Sequence, residues 1–402
     1  MNQFIWLIFL TIVSAPHAFA DKYIASSSIP IENQFIVVLN ENNILGDKEN
    51  NRLGNEENKA LLQSLASHHA ARLSRTYNNA LKGGVMQMSE ENAKALALHP
   101  MVKYVEQDGV IQLVVPPAPV LMTANQEYPT PSWGLDRIDQ HTLPLNNTYI
   151  YDNKGIGVVA YVIDTGIYPN HNDFGGRASI GIDIVNDGNQ GDCNGHGTHV
   201  AGIIGGTSYG VAKQVELVSV RVFNCSGTGT ISGVIAGVDW VTGNATSPAV
   251  ANMSLTNGAS TALDAAVTNS INSGITYIVA AGNSALNACN YSPARIPSAI
   301  TVGATSKTDD RPSWSNYGNC LDLFAPGVNI KSLWIGSQSA TKTVSGTSMA
   351  APHVTGVAAL ILEENPTANP ENVLNTIIEK STQNIITNPG LNSPNLLLFT
   401  DF

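Results

Sequence analysis

The chain is poor in charged residues, and above all in basic ones. Only 13% of its 402 residues are charged, and 20 Lys and Arg stand against 31 Asp and Glu, which gives a formal net charge of −11. No run rich in Lys or Arg occurs, which argues against nucleic acid as the main partner. The 43% of hydrophobic residues and the 35 glycines argue against disorder and indicate a buried core with many tight turns.

Long hydrophobic runs are also scarce. The run Phe4–Val13 is short for a membrane span, and the small residues Ala18 and Ala20 follow it, as in a signal peptide. No Lys or Arg precedes the run, which departs from that pattern, and a single membrane anchor is the alternative. We expect residues 1–20 to be removed and the protein to be secreted to the extracellular space, with no membrane association after removal.

Cysteine is rare as well. An even number of cysteines in an exported chain predicts two disulfides with three possible pairings, and buried free thiols are the alternative. The four residues are Cys193, Cys225, Cys289 and Cys320.

The remaining chain divides into three sections. Residues 21–115 predict a small α+β domain in the order strand, helix, strand, helix, strand, with helical spacing of apolar residues over Lys59–Arg75. Residues 116–132 contain five prolines and predict a linker. Residues 133–402 alternate continuous apolar strands with helices, which predicts an α/β domain whose mainly parallel sheet carries helices on both faces.

Several polar residues lie where an apolar strand ends or a helix begins, which is where parallel-sheet folds place reactive groups. A serine nucleophile needs a base and a group that orients the base. Turn or helix caps are the alternative for three of these positions, and a plain buried histidine for the fourth. A metal shared by His196 and His199 is disfavoured, because no Glu of the H-E-x-x-H type accompanies them. The reactive candidates are Asp164, His196, Asn283 and Ser348.

The order of these residues excludes one alternative enzyme. "GTSMA" at Gly346–Ala350 is close to the G-x-S-x-G elbow of the α/β-hydrolase esterases. That fold places its acid and its histidine after the serine. The only histidine after Ser348 is His353, which lies five residues further on along the same predicted helix, so the esterase interpretation fails.

Four motifs taken together carry a family resemblance. "YVIDTGI", "NGHGTHVAG", "AAGN" and "SGTSMAAPHVTG" resemble the signatures of the subtilisin-like serine endopeptidases. "WGLDRIDQ", "GVIAGVDWV" and "WSNYGNCLDLFAPG" narrow the resemblance to the proteinase K-like branch and its aqualysin-type bacterial members. "FIVVL" and "HPMVKYVEQD" resemble that family's inhibitor-like propeptide, which has a ferredoxin-like fold.

The resemblance implies a triad in which Asp164 orients, His196 acts as base and Ser348 attacks, while Asn283 stabilises the oxyanion. It implies protein and peptide substrates, a self-processed zymogen with its maturation site in the linker, and a propeptide that inhibits the enzyme and assists its folding. Small residues in the specificity pocket imply a preference for large apolar or aromatic residues before the cut bond. One departure is that relatives usually have Gly-Gly where this chain has Thr256-Asn257. The implied substrate-binding residues are Gly227, Thr228, Gly229, Ser254, Leu255, Thr256, Ala280, Ala281 and Gly282.

The resemblance also implies the disulfides Cys193–Cys225 and Cys289–Cys320, a monomer, structural Ca²⁺ and no catalytic cofactor. Carboxylate and carbonyl oxygens are the ligands that Ca²⁺ accepts, and solvated surface carboxylates are the alternative. A catalytically inactive binding protein on the same fold is the alternative for the whole chain. One calcium site would use Pro297, Ala299 and Asp322, a second Asp136, Asp139 and Gln140, and a weaker third Asp183 and Asp187.

Overall fold

The structure, a computed structural model, describes residues 22–40, 51–116, 130–189 and 191–401. The predicted signal peptide and most of the predicted linker lie outside these ranges. Within them, no helix combines the length and the apolar character needed to cross a bilayer.

The first part of the chain forms a sheet covered by two helices. Its elements are β1 (Tyr23–Ile24), β2 (Ile29–Leu39), α1 (Asn51–His68), β3 (Arg72–Tyr77), β4 (Gly83–Gln87), α2 (Glu90–Ala97) and β5 (Val102–Gln112). The strand order is β1-β5-β2-β4-β3, and β2 is antiparallel to both β4 and β5. Without the short β1, this is the ferredoxin-like arrangement that the family resemblance implies.

One predicted helix in this part is too long. The prediction carries it through Arg75, but α1 ends at His68 and residues 72–77 form β3, a strand that the predicted element order lacks. The helix stops because Ala70 adopts a left-handed conformation (φ 47°) and the Ala71 N–H bonds back to the Ala66 carbonyl at 2.8 Å. Glycine or asparagine usually marks such an end, and neither is present here.

The second part is a doubly wound α/β fold. A nine-stranded sheet has the order β18-β19-β15-β14-β12-β10-β6-β8-β7, and its strands are parallel except for the β18–β19 pair. The strands of this part are β6 (Val159–Asp164), β7 (Ala178–Asp183), β8 (Glu216–Arg221), β9 (Thr228–Thr230), β10 (Ala249–Met253), β11 (Asn257–Gly258), β12 (Thr276–Ala280), β13 (Tyr291–Ser292), β14 (Ile300–Thr305), β15 (Leu323–Pro326), β16 (Ile330–Leu333), β17 (Thr341–Val344), β18 (Thr382–Gln383) and β19 (Leu396–Leu397). The helices are α3 (Trp133–Ile138), α4 (His196–Gly205), α5 (Ile231–Asn244), α6 (Thr261–Asn272), α7 (Thr347–Glu364) and α8 (Pro370–Lys380).

The central strands are buried on both faces, as their continuous apolar sequences predict. All residues of β6, β10, β12 and β14 are buried. One core cluster packs α4 and α7 against one face of the sheet, and a second packs α5 and α6 against the other. The second cluster also includes Ile36, Tyr77 and Ile111, so the first sheet rests on α5 and α6 and shares their core.

A buried ion pair fastens α3 to the loop after β14. The Arg137 guanidinium donates to Asp309 at 2.7 and 3.1 Å and to the Gln140 carbonyl oxygen at 2.6 Å. Arg137 is fully buried, so its loss leaves a buried carboxylate without its partner.

We expect Arg137→Met to lower the free energy of unfolding by about 3–5 kcal/mol, the usual cost of removing one partner of a buried pair. Denaturant unfolding of the Ser348→Ala chain, which prevents self-digestion, measures the loss. Arg72→Met, at an exposed position of β3, is the matched control. Equal midpoints for the two variants would contradict a stabilising role for the pair.

Candidate active site

Asp164 and His196, the predicted acid and base, meet at the carboxyl edge of the large sheet. Asp164 is the last residue of β6 and His196 is the first of α4. The imidazole Nδ1 of His196 lies 2.8 and 2.9 Å from the two carboxylate oxygens of Asp164, whose side chain is fully buried. This contact fixes the tautomer that leaves Nε2 free to accept a proton.

A glycine and a threonine hold these two elements together. A Cβ on Gly197 would lie 2.1 Å from the Gly166 carbonyl oxygen, so only glycine lets α4 approach the end of β6 this closely. The Gly197 N–H also donates to the Thr165 hydroxyl at 2.9 Å. The small residue Gly197 therefore allows the His196 ring to approach Asp164 closely.

Asp192 organises the loop in front of the base. Its Oδ1 accepts from the Thr165 hydroxyl at 3.0 Å and from the Asn194 and Gly195 N–H groups at 2.9 and 2.8 Å. Its Oδ2 accepts from the Thr198 N–H at 2.9 Å and from the Thr198 hydroxyl at 2.6 Å. The carboxylate thus caps the free N–H groups at the start of α4, where negative charge is favourable.

Ser348 is buried in the first turn of α7, beside the loop that follows β10. Its hydroxyl donates to the Ser254 carbonyl oxygen at 3.2 Å, and the Ser254 hydroxyl donates to the Ser348 carbonyl oxygen at 2.9 Å. In the described part of the chain, no hydrogen bond joins the Ser348 hydroxyl to His196. The Ser348 hydroxyl is therefore turned toward Ser254.

Asn283 has its side-chain amide fixed by Thr347. The Asn283 Oδ1 accepts from both the N–H and the hydroxyl of Thr347 at 2.9 Å, which directs its Nδ2 outward. Gly282 precedes it with φ 104°, and a Cβ there would lie 2.4 Å from the Asn316 Nδ2. The turn after β12 therefore requires glycine and aims the asparagine amide at the cleft.

The chain's own segment after β5 lies in this cleft. β5 pairs antiparallel with β9, with Val110 opposite Thr230 and Gln112 opposite Thr228. The Leu113 N–H then donates to the Gly227 carbonyl oxygen at 3.0 Å. The predicted substrate strand 227–229 is thus paired with residues 110–113 in the manner of an added strand.

The carbonyl group of Val114 is also held in the cleft by a hydrogen bond. Its oxygen accepts a hydrogen bond of 2.7 Å from the Asn283 Nδ2, the group predicted to stabilise an oxyanion. The Val114 side chain is not enclosed, since the residue is 50% exposed.

Other predicted substrate residues lie beside Ser348 or around the end of β12. Ser254 contacts the nucleophile, and Ala280 and Ala281 are buried at the end of β12. Thr256 has its hydroxyl 3.2 Å from the point where a Cβ of Gly282 would lie, so the residue that departs from the family pattern faces the Gly282 turn.

Asp164 changes the acidity of the base. Burial lowers the pKa of His196, but the adjacent Asp164 carboxylate and its hydrogen bond raise it more, and the pKa lies above its usual 6.5. His199 differs, because burial lowers its pKa to about 3. Its Nε2 contacts the carbonyl oxygens of Ile330 and Lys342 at 3.1 and 3.0 Å, so it is a buried structural histidine.

The raised pKa predicts the acid limb of the activity profile. His196 accepts a proton only when neutral, so activity is present above its pKa and is lost as the pH falls through it. We expect kcat/KM for a peptide anilide to fall about tenfold per pH unit below an inflection above 6.5. Return to pH 8 should restore the rate, which separates titration from acid unfolding. A flat profile down to about pH 5 would contradict His196 as the base.

Both predicted disulfides are present. Cys193 is bonded to Cys225, and Cys289 is bonded to Cys320. The first bond ties the loop before α4 to the loop before β9, and the described part of the chain contains no free cysteine.

Two of the three predicted calcium sites have suitable donors. Asp322 is largely enclosed and accepts from the Thr301 N–H at 2.8 Å, and burial raises its pKa to about 7, so a cation would favour its ionised form. Asp139 Oδ1 and Gln140 Oε1 are buried without partners, and Asp136 accepts from the Asn146 and Asn147 N–H groups at 3.1 and 2.9 Å.

The weaker third site does not fit a cation. Arg221 donates to Asp183 at 2.7 Å and to the two oxygens of Asp187 at 2.9 Å each. The hydrogen bond to Arg221 lowers the pKa of Asp187 far below its usual range. The guanidinium already neutralises both carboxylates, so these two residues do not form a calcium site.

Sequence reasoning missed several residues that build the site. Asp192 had a signal, since it precedes a helix start in "DCNGHG" as a capping residue does. For Thr165 and Thr347, the only sequence signal was their position next to Asp164 and Ser348. Val114 had none, because its contact with Asn283 spans 169 residues of sequence.

Known proteins resemble the chain in both parts. The peptidase S8 subtilase family matches residues 155–395, and the peptidase inhibitor I9 family matches residues 34–114. An extracellular serine proteinase of Thermus sp. (strain Rt41A) is 53% identical over 333 residues, covering 83% of this chain and 78% of that protein. Alkaline serine exoprotease A of Vibrio alginolyticus is 45% identical over 382 residues, covering 95% and 70%.

A solved structure agrees with these relatives. It is the crystal structure of a cold adapted subtilisin-like serine proteinase, with 56% identity and a TM-score of 0.65, and the match covers 66% of this chain and 97% of that one. The chain therefore belongs to the subtilase family of serine proteases, and an I9-type inhibitor region precedes its protease domain.

Proposed function

We propose that this protein is a secreted serine endopeptidase that acts through Asp164, His196 and Ser348 and is made as a self-processed zymogen. One observation carries the proposal: residues 110–114 lie along the cleft as a substrate would, with the Val114 carbonyl oxygen 2.7 Å from the Asn283 Nδ2. The extracellular origin stated for the Thermus relative supports secretion.

The chemistry begins with a turn of the Ser348 hydroxyl from Ser254 toward His196. The Ser348 oxygen attacks the substrate carbonyl while His196 Nε2 takes the hydroxyl proton, and Asp164 stabilises the imidazolium. The Asn283 amide and the Ser348 N–H, at the positive end of α7, bind the oxyanion. His196 then protonates the leaving amine, and water releases the acyl-enzyme.

The first substrate is the chain itself. Since Asn283 donates to the Val114 carbonyl oxygen, we propose that Val114–Val115 is the bond that separates the propeptide from the mature enzyme. This bond lies just before residues 116–132, the range in which the sequence predicts the maturation site, so the proposal moves that site toward the end of the propeptide. For other substrates we propose broad specificity with a preference for large apolar or aromatic residues before the cut bond, as the small residues Ala280, Ala281 and Gly282 imply.

Calcium would have a structural role and would take no part in the reaction. Asp322 with the Pro297 and Ala299 carbonyl groups, and Asp136, Asp139 and Gln140 near the start of the domain, would hold it. Bound Ca²⁺ would keep these enclosed carboxyl groups ionised and fix the loops that carry them.

Carboxylates of β5 attach the propeptide to two helix starts. Glu106 accepts from the Ser260 hydroxyl at 2.5 Å and from the Ala262 N–H at 2.9 Å, at the start of α6. Asp108 accepts from the Ser232 N–H at 3.0 Å, at the start of α5. Both side chains are buried in the interface, where charge-assisted bonds are strong and costly to lose.

We therefore expect Glu106→Gln to weaken inhibition by the propeptide about tenfold or more. The inhibition constant of the propeptide, added to processed enzyme, measures this change. Glu91→Gln, at an exposed position of α2, is the control. Equal inhibition by both variants would show that the bonds at the start of α6 contribute nothing to binding.

A catalytically inactive binding protein is the alternative. A fluorophosphonate probe, which reacts with an activated serine, separates the two functions. We expect one probe per processed chain and none on Ser348→Ala. An unlabelled, soluble wild-type chain would support the binding protein.

A further inference from the structure

A cavity of about 430 Å³ lies beside the base, between His196 and the hairpin of β16 and β17. Val115 and Pro116 form part of its wall, and they directly follow the residue whose carbonyl Asn283 holds. Trp334 and Lys342 of the hairpin region also line it. The cavity is therefore on the leaving-group side of the Val114–Val115 bond.

Val115 and Pro116 fill only part of this cavity. Val115 is 60% exposed, whereas Pro116 is buried, so the second residue after the bond is the one that faces the protein. The space left open is within the range of about 300–1,000 Å³ that small-ligand pockets have. A side chain larger than that of proline has room to enter.

The aromatic wall of the cavity is rigid. The Trp334 ring packs so closely on Gly195 that a Cβ there would lie 2.5 Å from it, and Gly195 has φ 103°. The Lys342 ammonium group lies 4.0 Å from the centroid of the Trp334 ring, and the His199 ring meets Trp334 edge-on at 6.1 Å. The Lys342 ammonium group lies over the indole ring, and the apolar surface of that ring is suited to contact an apolar side chain.

We propose that this cavity binds the second residue of the leaving peptide, and that Trp334 makes the enzyme select a bulky apolar side chain there. The inference rests on the proposed function, and it adds selectivity on the side of the bond opposite to the predicted specificity pocket.

Internally quenched peptides test the selection. All carry Ile-Gln-Leu-Val, the sequence of residues 111–114, followed by Val, and they differ only at the second leaving residue. We expect kcat/KM to be about tenfold higher with Phe or Leu there than with Ala, as burial of a large apolar side chain predicts. Equal rates for Phe, Leu and Ala in the wild-type enzyme would overturn the proposal.

One pair of variants locates the selection. Trp334→Leu should reduce the Phe-to-Ala ratio to about threefold or less, while Trp240→Leu, on α5 and outside the cavity, should keep it. An unchanged ratio in Trp334→Leu would contradict the role assigned to its ring.

An anilide of the same four residues separates two kinds of failure. It has no leaving peptide, so its hydrolysis depends on the triad and not on the cavity. A wild-type enzyme that does not cleave the anilide contradicts the proposed function. Cleavage of the anilide without selection at the second leaving residue contradicts the cavity proposal alone. If Trp334→Leu does not fold, the wild-type peptide series still decides.

Discussion

Replacing Ser348 by alanine is expected to lower kcat for a peptide anilide about 10⁶-fold, the scale that loss of the nucleophile has in the related enzyme subtilisin. The reason is that His196 and Asp164 only assist an attack that the Ser348 oxygen makes. The fold should persist, because the lost hydroxyl makes one hydrogen bond of 3.2 Å to the Ser254 carbonyl oxygen.

Turnover by purified chains measures this effect. Ser339→Ala removes the same group from an exposed loop and should retain wild-type turnover. Residual turnover of Ser348→Ala within about a hundredfold of wild type would show that another residue attacks the substrate.

Replacing Asn283 by alanine is expected to lower kcat about 10²–10³-fold with little change in KM, the scale known for the oxyanion-hole donor of subtilisin. The Asn283 amide donates to a carbonyl oxygen in the cleft at 2.7 Å, and this bond strengthens when the oxygen becomes an oxyanion. Thr347 holds the other end of the amide with two bonds of 2.9 Å, so the donor is already aimed before the reaction.

Steady-state kinetics on the anilide separates kcat from KM. Asn272→Ala, at an exposed position on α6, is the control. A change in KM alone would mean that Asn283 binds the ground state and the transition state equally, which would remove it from the oxyanion site.

The sequence predicts the parts of this fold that depend on local pattern. Continuous apolar strands predict a buried parallel sheet, and the structure confirms it, with Asp164 at the end of β6 and Ser348 in the first turn of α7. Ser89, which Glu90 and Glu91 follow, has the pattern of a helix cap, and its side chain accepts from the Asn92 N–H at the start of α2 at 3.2 Å. The disulfide pairing follows from family resemblance, since the residues alone leave three pairings open.

Contacts between segments that are far apart in the sequence could not be predicted from local sequence patterns. The end of α1 depends on a left-handed Ala70, a residue type that rarely marks a helix end. As a pair, Asp183 and Asp187 suggest a cation site, but the guanidinium of Arg221, at the end of β8, donates hydrogen bonds to both carboxylates. The position of Val114 against Asn283 depends on how the first sheet sits on α5 and α6, which no local pattern encodes.

The mass of the released propeptide tests the central claim most directly. Intact-mass analysis of the secreted wild-type protein, beside Ser348→Ala, should give a propeptide that ends at Val114 and an uncut Ser348→Ala chain. That result would place Val114–Val115 in the active site of a self-processing serine protease. A propeptide that ends elsewhere, or a Ser348→Ala chain cut at the same bond, would contradict the account.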